Sequence, residues 1–243
     1  MRVAVVTPYF REELDVLRNC HESVRRQTAA CMHFMVADGF PRNEIGSWEV
    51  EHIVLARAHG DVGNTPRAIG GISAMNQGFD AIAFLDADNW YDARHIEEMI
   101  KLHERTGAAV CSATRMIHAQ DGTALFVDCE EGDGTRHVDT SCYFLTARAF
   151  SLLPLWAMMP KELGPVGDHI LWRTICALGL SRAHCPKPTV AFRTQYEIHY
   201  RRAGRTPPPG FKSAQTTNDA FKWWASLPPD VKADWERRMN LRK

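Results

Sequence analysis

Two carboxylates spaced i, i+2, Asp86 and Asp88, close an unbroken apolar run, Ala81-Ile82-Ala83-Phe84-Leu85. Ionised carboxylates only accept hydrogen bonds. Two of them this close repel unless a cation joins them. A hard divalent ion carrying a diphosphate would resolve that conflict. The apolar run reads as a strand covered on both faces. Open α/β sheets bind ligands beyond the carboxyl ends of their strands, which is where these side chains fall. A bare Asp-x-Asp also recurs by chance in turns that cap a following helix. Position gives this one its chemical weight. Asp38 repeats the arrangement at the end of a second run, His33-Phe34-Met35-Val36.

The elements needed to hold these groups are legible around them. Val3-Ala4-Val5-Val6 is a β-branched run ending at Thr7-Pro8-Tyr9-Phe10, a first strand leaving into a loop. Residues 13–26 place Leu14, Leu17, Cys20, His21 and Val24 on one face of a helix. Glu51-His52-Ile53-Val54-Leu55 reads as a third strand, followed by a loop over 60–66. Residues 67–78 read as a helix, weakened by Gly70-Gly71. After Asp88, Ile96, Met99, Ile100 and His103 mark another helix, stopped at Gly107. This β-α-β alternation predicts a doubly wound sheet with right-handed crossovers.

The second half reads differently. Residues 109–113 suit a strand. Residues 115–118 and 124–127 flank a hairpin turn with an Asp-Gly signal at Asp121-Gly122. Residues 130–136 form a polar loop, 141–145 a strand, and 163–167 a Gly/Pro loop leading into Asp168-His169. A helix follows, with Gly179 as its C-cap, and then a last strand over 189–192. The tail from Arg193 is basic, aromatic and Pro-rich. Pro207-Pro208-Pro209-Gly210 is a stiff break, and Trp223, Trp224 and Trp235 suit short helices beyond it.

The chain has 243 residues, enough for one large α/β domain. Lys and Arg total 29, as do Asp and Glu. Zero net charge argues against a general nucleic-acid or anionic-membrane binder. The seven cysteines show no C-x-x-C spacing and suit reduced core thiols. No apolar run spans a bilayer and no signal-peptide layout opens the chain, so the expected location is cytoplasmic.

Three stretches resemble the family-2-like glycosyltransferases of the GT-A fold. They are Val-Ala-Val-Val-Thr-Pro-Tyr-Phe at 3–10, Val-Ala-Asp-Gly at 36–39 and Ala-Phe-Leu-Asp-Ala-Asp-Asn-Trp at 83–90. The resemblance implies an α/β GT-A fold: a Rossmann-like, mostly parallel central sheet with flanking helices. A small antiparallel hairpin region and an extended C-terminal tail complete it. Residues 1–108 would be the nucleotide-sugar half, 109–200 the acceptor half of the same domain, and 201–243 a lid or tail.

The same resemblance implies roles. Thr7, Pro8 and Tyr9 would line the nucleoside pocket, with Tyr9 offering its face to the base or ribose. Asp38 would accept from the base. Uracil N3 carries the required N–H and cytosine N3 does not, so a UDP-sugar is favoured. Arg67 would lie near the base and diphosphate. Asp86, beside Ala87, would hold the ribose hydroxyls or a metal-bound water, and Asp88 would coordinate Mn²⁺ or Mg²⁺. His199 would be a third metal ligand. Arg201 and Arg202 would clamp the diphosphate. Asp168 would be the general base of an inverting transfer. A plain N-cap carboxylate is its competing reading.

Two other functions fit parts of this pattern. A sugar-phosphate nucleotidyltransferase also uses an α/β sheet and Mg²⁺, but its usual Gly-rich, basic loop is replaced here by Thr-Pro-Tyr-Phe-Arg. A non-catalytic nucleotide-sugar-binding regulator would keep the binding residues and leave Asp168 idle. The acceptor, whether carbohydrate, lipid or small molecule, is not encoded in any motif. Weak peripheral membrane contact through the Trp- and Lys/Arg-rich tail competes with packing of those tryptophans on the body.

Overall fold

The computed structural model describes residues 1–129, 134–213, 215–239 and 241. The part of the expected polar loop at 130–133 lies outside them. One mixed sheet carries the chain in the order β3-β2-β1-β4-β8-β6-β9-β5. The strands are β1 (Val3–Tyr9), β2 (Cys31–Asp38), β3 (Val50–Leu55), β4 (Ala81–Phe84), β5 (Trp90–Tyr91), β6 (Val110–His118), β7 (Ala124–Val127), β8 (Tyr143–Thr146) and β9 (Arg182–Arg193). β3, β2, β1, β4, β6 and β9 run one way, and β8 runs against them between β4 and β6. β7 folds back on β6 as the expected hairpin, and β5 pairs antiparallel with β9. This is the mostly parallel α/β sheet with flanking helices that the resemblance implies.

β1 and β4 are buried along their whole length, as unbroken apolar runs require. Helices cover both faces. α1 (Leu14–Arg25) buries Leu17, Cys20, His21 and Val24, and α3 (His95–Thr106) buries His95, Ile96, Met99 and Leu102. The i, i+3, i+4 spacing of the apolar residues produces these stripes.

α2 (Asn64–Asn76) begins three residues before the sequence suggests. Pro66 sits in its first turn, where the missing N–H has no intrahelical partner to lose. Asp61 Oδ2 accepts from the Thr65 N–H at 2.8 Å and fixes that turn. The glycine pair that weakens α2 as a helix is what lets it pack. A Cβ on Gly70 would lie 2.6 Å from Val6 Cγ1 and 2.9 Å from Val36 Cγ2, and one on Gly71 would lie 2.9 Å from Leu153. α2 therefore rests directly on β1 and β2.

Three further boundaries differ from expectation. The runs at 109–113 and 115–118 form one strand, β6. Ser141 and Cys142 belong to a 3-10 turn, and β8 starts at Tyr143. β9 is far longer than residues 189–192 because Pro186 and Pro188 do not end it. The register of β6 shifts at Ala113/Thr114 and Thr114/Arg115, and that irregularity absorbs the residues that cannot donate.

Past β8 come α4 (Leu155–Met158), α5 (Gly167–Ala177), α6 (Glu197–Arg202), α7 (Gln215–Ser226) and α8 (Pro229–Arg238). Trp223, Trp224 and Trp235 of the last two helices are partly buried against the main core. No helix of the described residues is long and apolar enough to cross a membrane.

Candidate active site

A cleft of about 700 Å³ opens at the carboxyl end of β4. On one wall stand Asp86 and Asp88, carried there by the exit from β4. Arg67 reaches across from α2 and donates Nη2–H to Asp86 Oδ1. Its other donors hold the Val62 carbonyl at 2.9 Å and Asn64 Oδ1 at 3.1 Å, and its guanidinium lies 5.3 Å from the Trp156 ring centre. Val62, at the cleft mouth, takes a φ of 59°, costly for a β-branched residue. That bend turns its carbonyl onto Arg67.

Asp88 lies deeper in conflict. Burial, and then the charge of Asp86, push its carboxyl up to about 7. The Gln195 amide donates to its Oδ2 at 3.4 Å, a long bond. Asp86 is relieved by Arg67 and Asp88 is left with the excess negative charge; carboxylate oxygens of this kind are the donors a hard divalent ion takes. The neighbouring backbone is locked. The Asp86 N–H donates to Ser141 Oγ at 3.2 Å, Asn89 Nδ2 donates to the same oxygen at 2.9 Å, and Asn89 Oδ1 accepts from the Arg193 N–H at 2.8 Å.

The facing wall carries Asp168, at the start of α5, and His137 from the segment before β8. His137 Nε2 lies 2.8 Å from Asp168 Oδ2, and the His169 N–H donates to Asp168 Oδ1 at 2.8 Å. Burial works to raise Asp168, but the charge and hydrogen bond of His137 outweigh it and hold the carboxyl at about 2. The ligand-type atoms of His137, Asp168 and His169 all lie within 4.8 Å of one another. Beneath them Arg115 donates to Asp128 at 2.9 Å and to Asp139 at 2.7 Å, a buried cation between two carboxylates.

His199 lines the same cleft. Burial lowers it to about 4, so it is neutral near pH 7, as a metal ligand must be. Its Nδ1 lies 2.6 Å from Thr194 Oγ1, and the charges acting on it are those of Arg115, Asp128 and Arg202, so among the described residues it does not join Asp86 and Asp88 in a three-ligand group.

Arg67, Asp86, Asp88, Asp168 and His199 thus meet in one cleft. Seven other sequence candidates do not line it. The Tyr9 ring is 1% exposed and packs with Leu17, Met35, Ile45 and Ala87, so its face is not offered to a base. Its hydroxyl meets His52 Nε2 at 2.7 Å. Thr7 is buried against His33, and Pro8 lies under Gly63. Ala87 is core, not surface. The Asp38 side chain is 6% exposed, with both oxygens turned to His59: the backbone N–H donates at 3.0 Å, and Nδ1 lies at 2.7 Å. Arg201 is 69% exposed and pairs with Glu197 at 3.1 Å, away from the cleft. Arg202 turns to Asp128 at 3.6 Å and lies over Phe126, so neither arginine clamps the cleft.

His137, Asp139, Arg115 and Ser141 are site residues that sequence reasoning missed. Their signal was a charged residue inside a strand, Arg115, and a His-Val-Asp-Thr-Ser run just before another strand.

Residues 4–128 match the family described as Glycosyl transferase family 2. The chain is a family 2 glycosyltransferase. The solved structures agree on the fold. Staphylococcus aureus TarS, residues 1–349 in complex with UDP, superposes with a TM-score of 0.62 at 9% identity, covering 98% of this chain and 79% of that one. The same protein in complex with UDP-GlcNAc gives 0.60 at 11% identity over the same shares. At such identities the likeness is one of fold. No curated protein matches the chain. The family 2 assignment covers β1 to β7 and so includes the Asp86 wall but not Asp168.

Proposed function

We propose that this enzyme transfers a sugar, with inversion, from a nucleoside diphosphate donor to a hydroxyl acceptor, and that the donor is a UDP-sugar. The observation that carries the reading is the pairing of walls in one cleft. Arg67, Asp86 and Asp88 share one cleft with Asp168, a largely buried carboxylate that His137 holds ionised. The TarS structures were solved with UDP and UDP-GlcNAc, which supports the donor class.

Asp88 and Asp86 are the residues that would hold Mn²⁺ or Mg²⁺; His199 lines the same cleft, but among the described residues it forms no three-ligand group with them. A bound ion would offset charge on the departing diphosphate. Arg67 fixes Asp86 and adds a fixed positive charge close to that end of the donor. Asp168 supplies the carboxylate of the base. An inverting displacement needs that base on the face opposite the leaving group. Recognition of uracil by Asp38 requires His59 to give up its bonds to that carboxylate.

Titration calorimetry of UDP, GDP and CMP, with and without Mn²⁺, tests the donor side. UDP is expected to bind with Mn²⁺, and Asp88→Ala to lose that binding. Absence of nucleotide binding under every condition sinks the donor reading. Binding without release of UDP from any UDP-sugar would leave a regulator in place of a transferase.

A further inference from the structure

Asp168 is poorly suited to hold the acceptor's proton by itself. Its side chain is 17% exposed, and both oxygens already accept hydrogen bonds, from His137 and from the His169 backbone. Gly167 starts α5 in a tight spot: a Cβ there would lie 3.1 Å from Trp156 and 3.2 Å from Asn64. A carboxylate whose two oxygens already accept hydrogen bonds is a poorly placed base toward a further hydroxyl.

His137 completes the pair. Its side chain is 13% exposed and lines the cleft beside Asp168. Given the donor-transfer reading above, we propose that the acceptor's proton comes to rest on His137, and that Asp168 orients this imidazole and balances its charge. With Nε2–H given to Asp168, Nδ1 is the basic nitrogen. The acceptor O–H bond breaks and its proton goes to the imidazole. The oxygen's electron pair forms the new bond to the anomeric carbon. The bond from that carbon to the phosphate oxygen breaks, and its pair leaves with the nucleoside diphosphate. A carboxylate behind an imidazole is the same division of labour seen in hydrolytic triads.

The surroundings favour a proton over a metal at this cluster. The His137 and His169 rings lie 4.0 Å apart, with planes 19° from parallel. Imidazole lone pairs lie in the ring plane, so stacked faces do not converge on one ion. Stacking instead keeps His137 upright, and Phe221 of α7 holds His169 edge-on at 5.9 Å. The charged groups around His137 are Asp168 and His169 on α5, Asp139 on its own segment and Arg115 on β6. Burial and Arg115 pull its pKa down, Asp168 and Asp139 push it up, and the carboxylates win. The imidazole therefore titrates above its ordinary value of 6.5.

The test uses the whole chain with UDP-GlcNAc and UDP-glucose, water serving as acceptor, and reads UDP release against pH. Wild type is expected to show a rise in kcat with an inflexion above pH 6.5. His137→Gln keeps an N–H for Asp168 but cannot take a proton. It should bind UDP normally and lose kcat by about 100-fold or more, and its inflexion should vanish. Asp168→Asn should move the inflexion down. Nitrogen-detected NMR of the His137 ring gives a reading without turnover: its titration should lie above 6.5 in wild type and fall in Asp168→Asn. Full activity in His137→Gln, or a His137 titration at or below 6.5, overturns the inference. Failure of UDP to bind overturns the donor reading instead.

Discussion

Near neutral pH part of the protein holds a proton on Asp88, since burial and Asp86 push that carboxyl up to about 7. The unfolded chain gives up the same proton near pH 4. The native state is thus favoured below pH 4, and the advantage is lost as pH rises through 7. Asp88→Asn removes the repulsion. At pH 8 without divalent ion it should melt higher than wild type by roughly 2–4 °C, the shift that 1 kcal/mol makes in a chain of this size. Mn²⁺ should stabilise wild type and leave the variant unmoved, as differential scanning calorimetry would show. An unchanged or lower melting point for the variant rules out stored repulsion. Such strain is what a binding site carries before its ligand arrives. The same scale shows what a sequence discloses. Asp86 and Asp88 stand out because two carboxylates close an apolar strand together, whereas Asp168, at a helix start, is equally legible as a capping residue. Tyr9 misleads because an aromatic at a strand exit looks the same whether its ring faces a ligand or a second apolar cluster. His137 stays hidden because its meaning comes from Asp168, 31 positions later.

Among the elements, α2 ties packing to chemistry. Gly70 seats the helix on Val6 and Val36, and three residues earlier Arg67 meets Asp86. Gly70→Ala adds a methyl where 2.6 Å is available. The helix must then lift, at a cost of about 1–3 kcal/mol. Because the lift also draws Arg67 from Asp86, UDP affinity should fall together with the denaturation midpoint. Chemical denaturation and calorimetry on one sample check the coupling, and a loss of stability with unchanged affinity would break it. The parallel half of the sheet is legible because its strands are continuous apolar runs with helical stripes between them. β9 is not, since Pro186 and Pro188 contradict a strand locally and only the shifted register of β6 accommodates them. The two-residue β5 is likewise fixed by its partner, with Trp90 opposite Ala191.

Across the molecule, several imidazoles among the described residues are buried with the neutral form favoured, His33, His95 and His199 most strongly. Burial holds His33 and His95 at about 3, and His199 at about 4. Each binds its proton more readily when the chain unfolds. Stability is therefore complete above about pH 6.5 and is lost as pH falls toward 3. His95 rests on Thr189 at 2.8 Å, joining α3 to β9, and its Nε2 has no partner. His95→Gln, which cannot charge, should flatten the decline between pH 6 and pH 4, as urea midpoints across that range would report. An identical slope in the variant would place the acid sensitivity elsewhere.

β9 fences the Asp86–Asp88 wall from far along the chain. Arg193 bonds Asn89 across 104 positions, and Gln195 reaches Asp88 across 107. At ribosomal speeds a chain needs roughly 5–20 s to add that many residues. Asp168 is added before that interval ends, and Arg193 only at its close, so for most of it the nascent protein presents its carboxylate pair without either. The candidate site is therefore completed in steps, with Asp168 arriving on α5 and Arg193 at the end of β9.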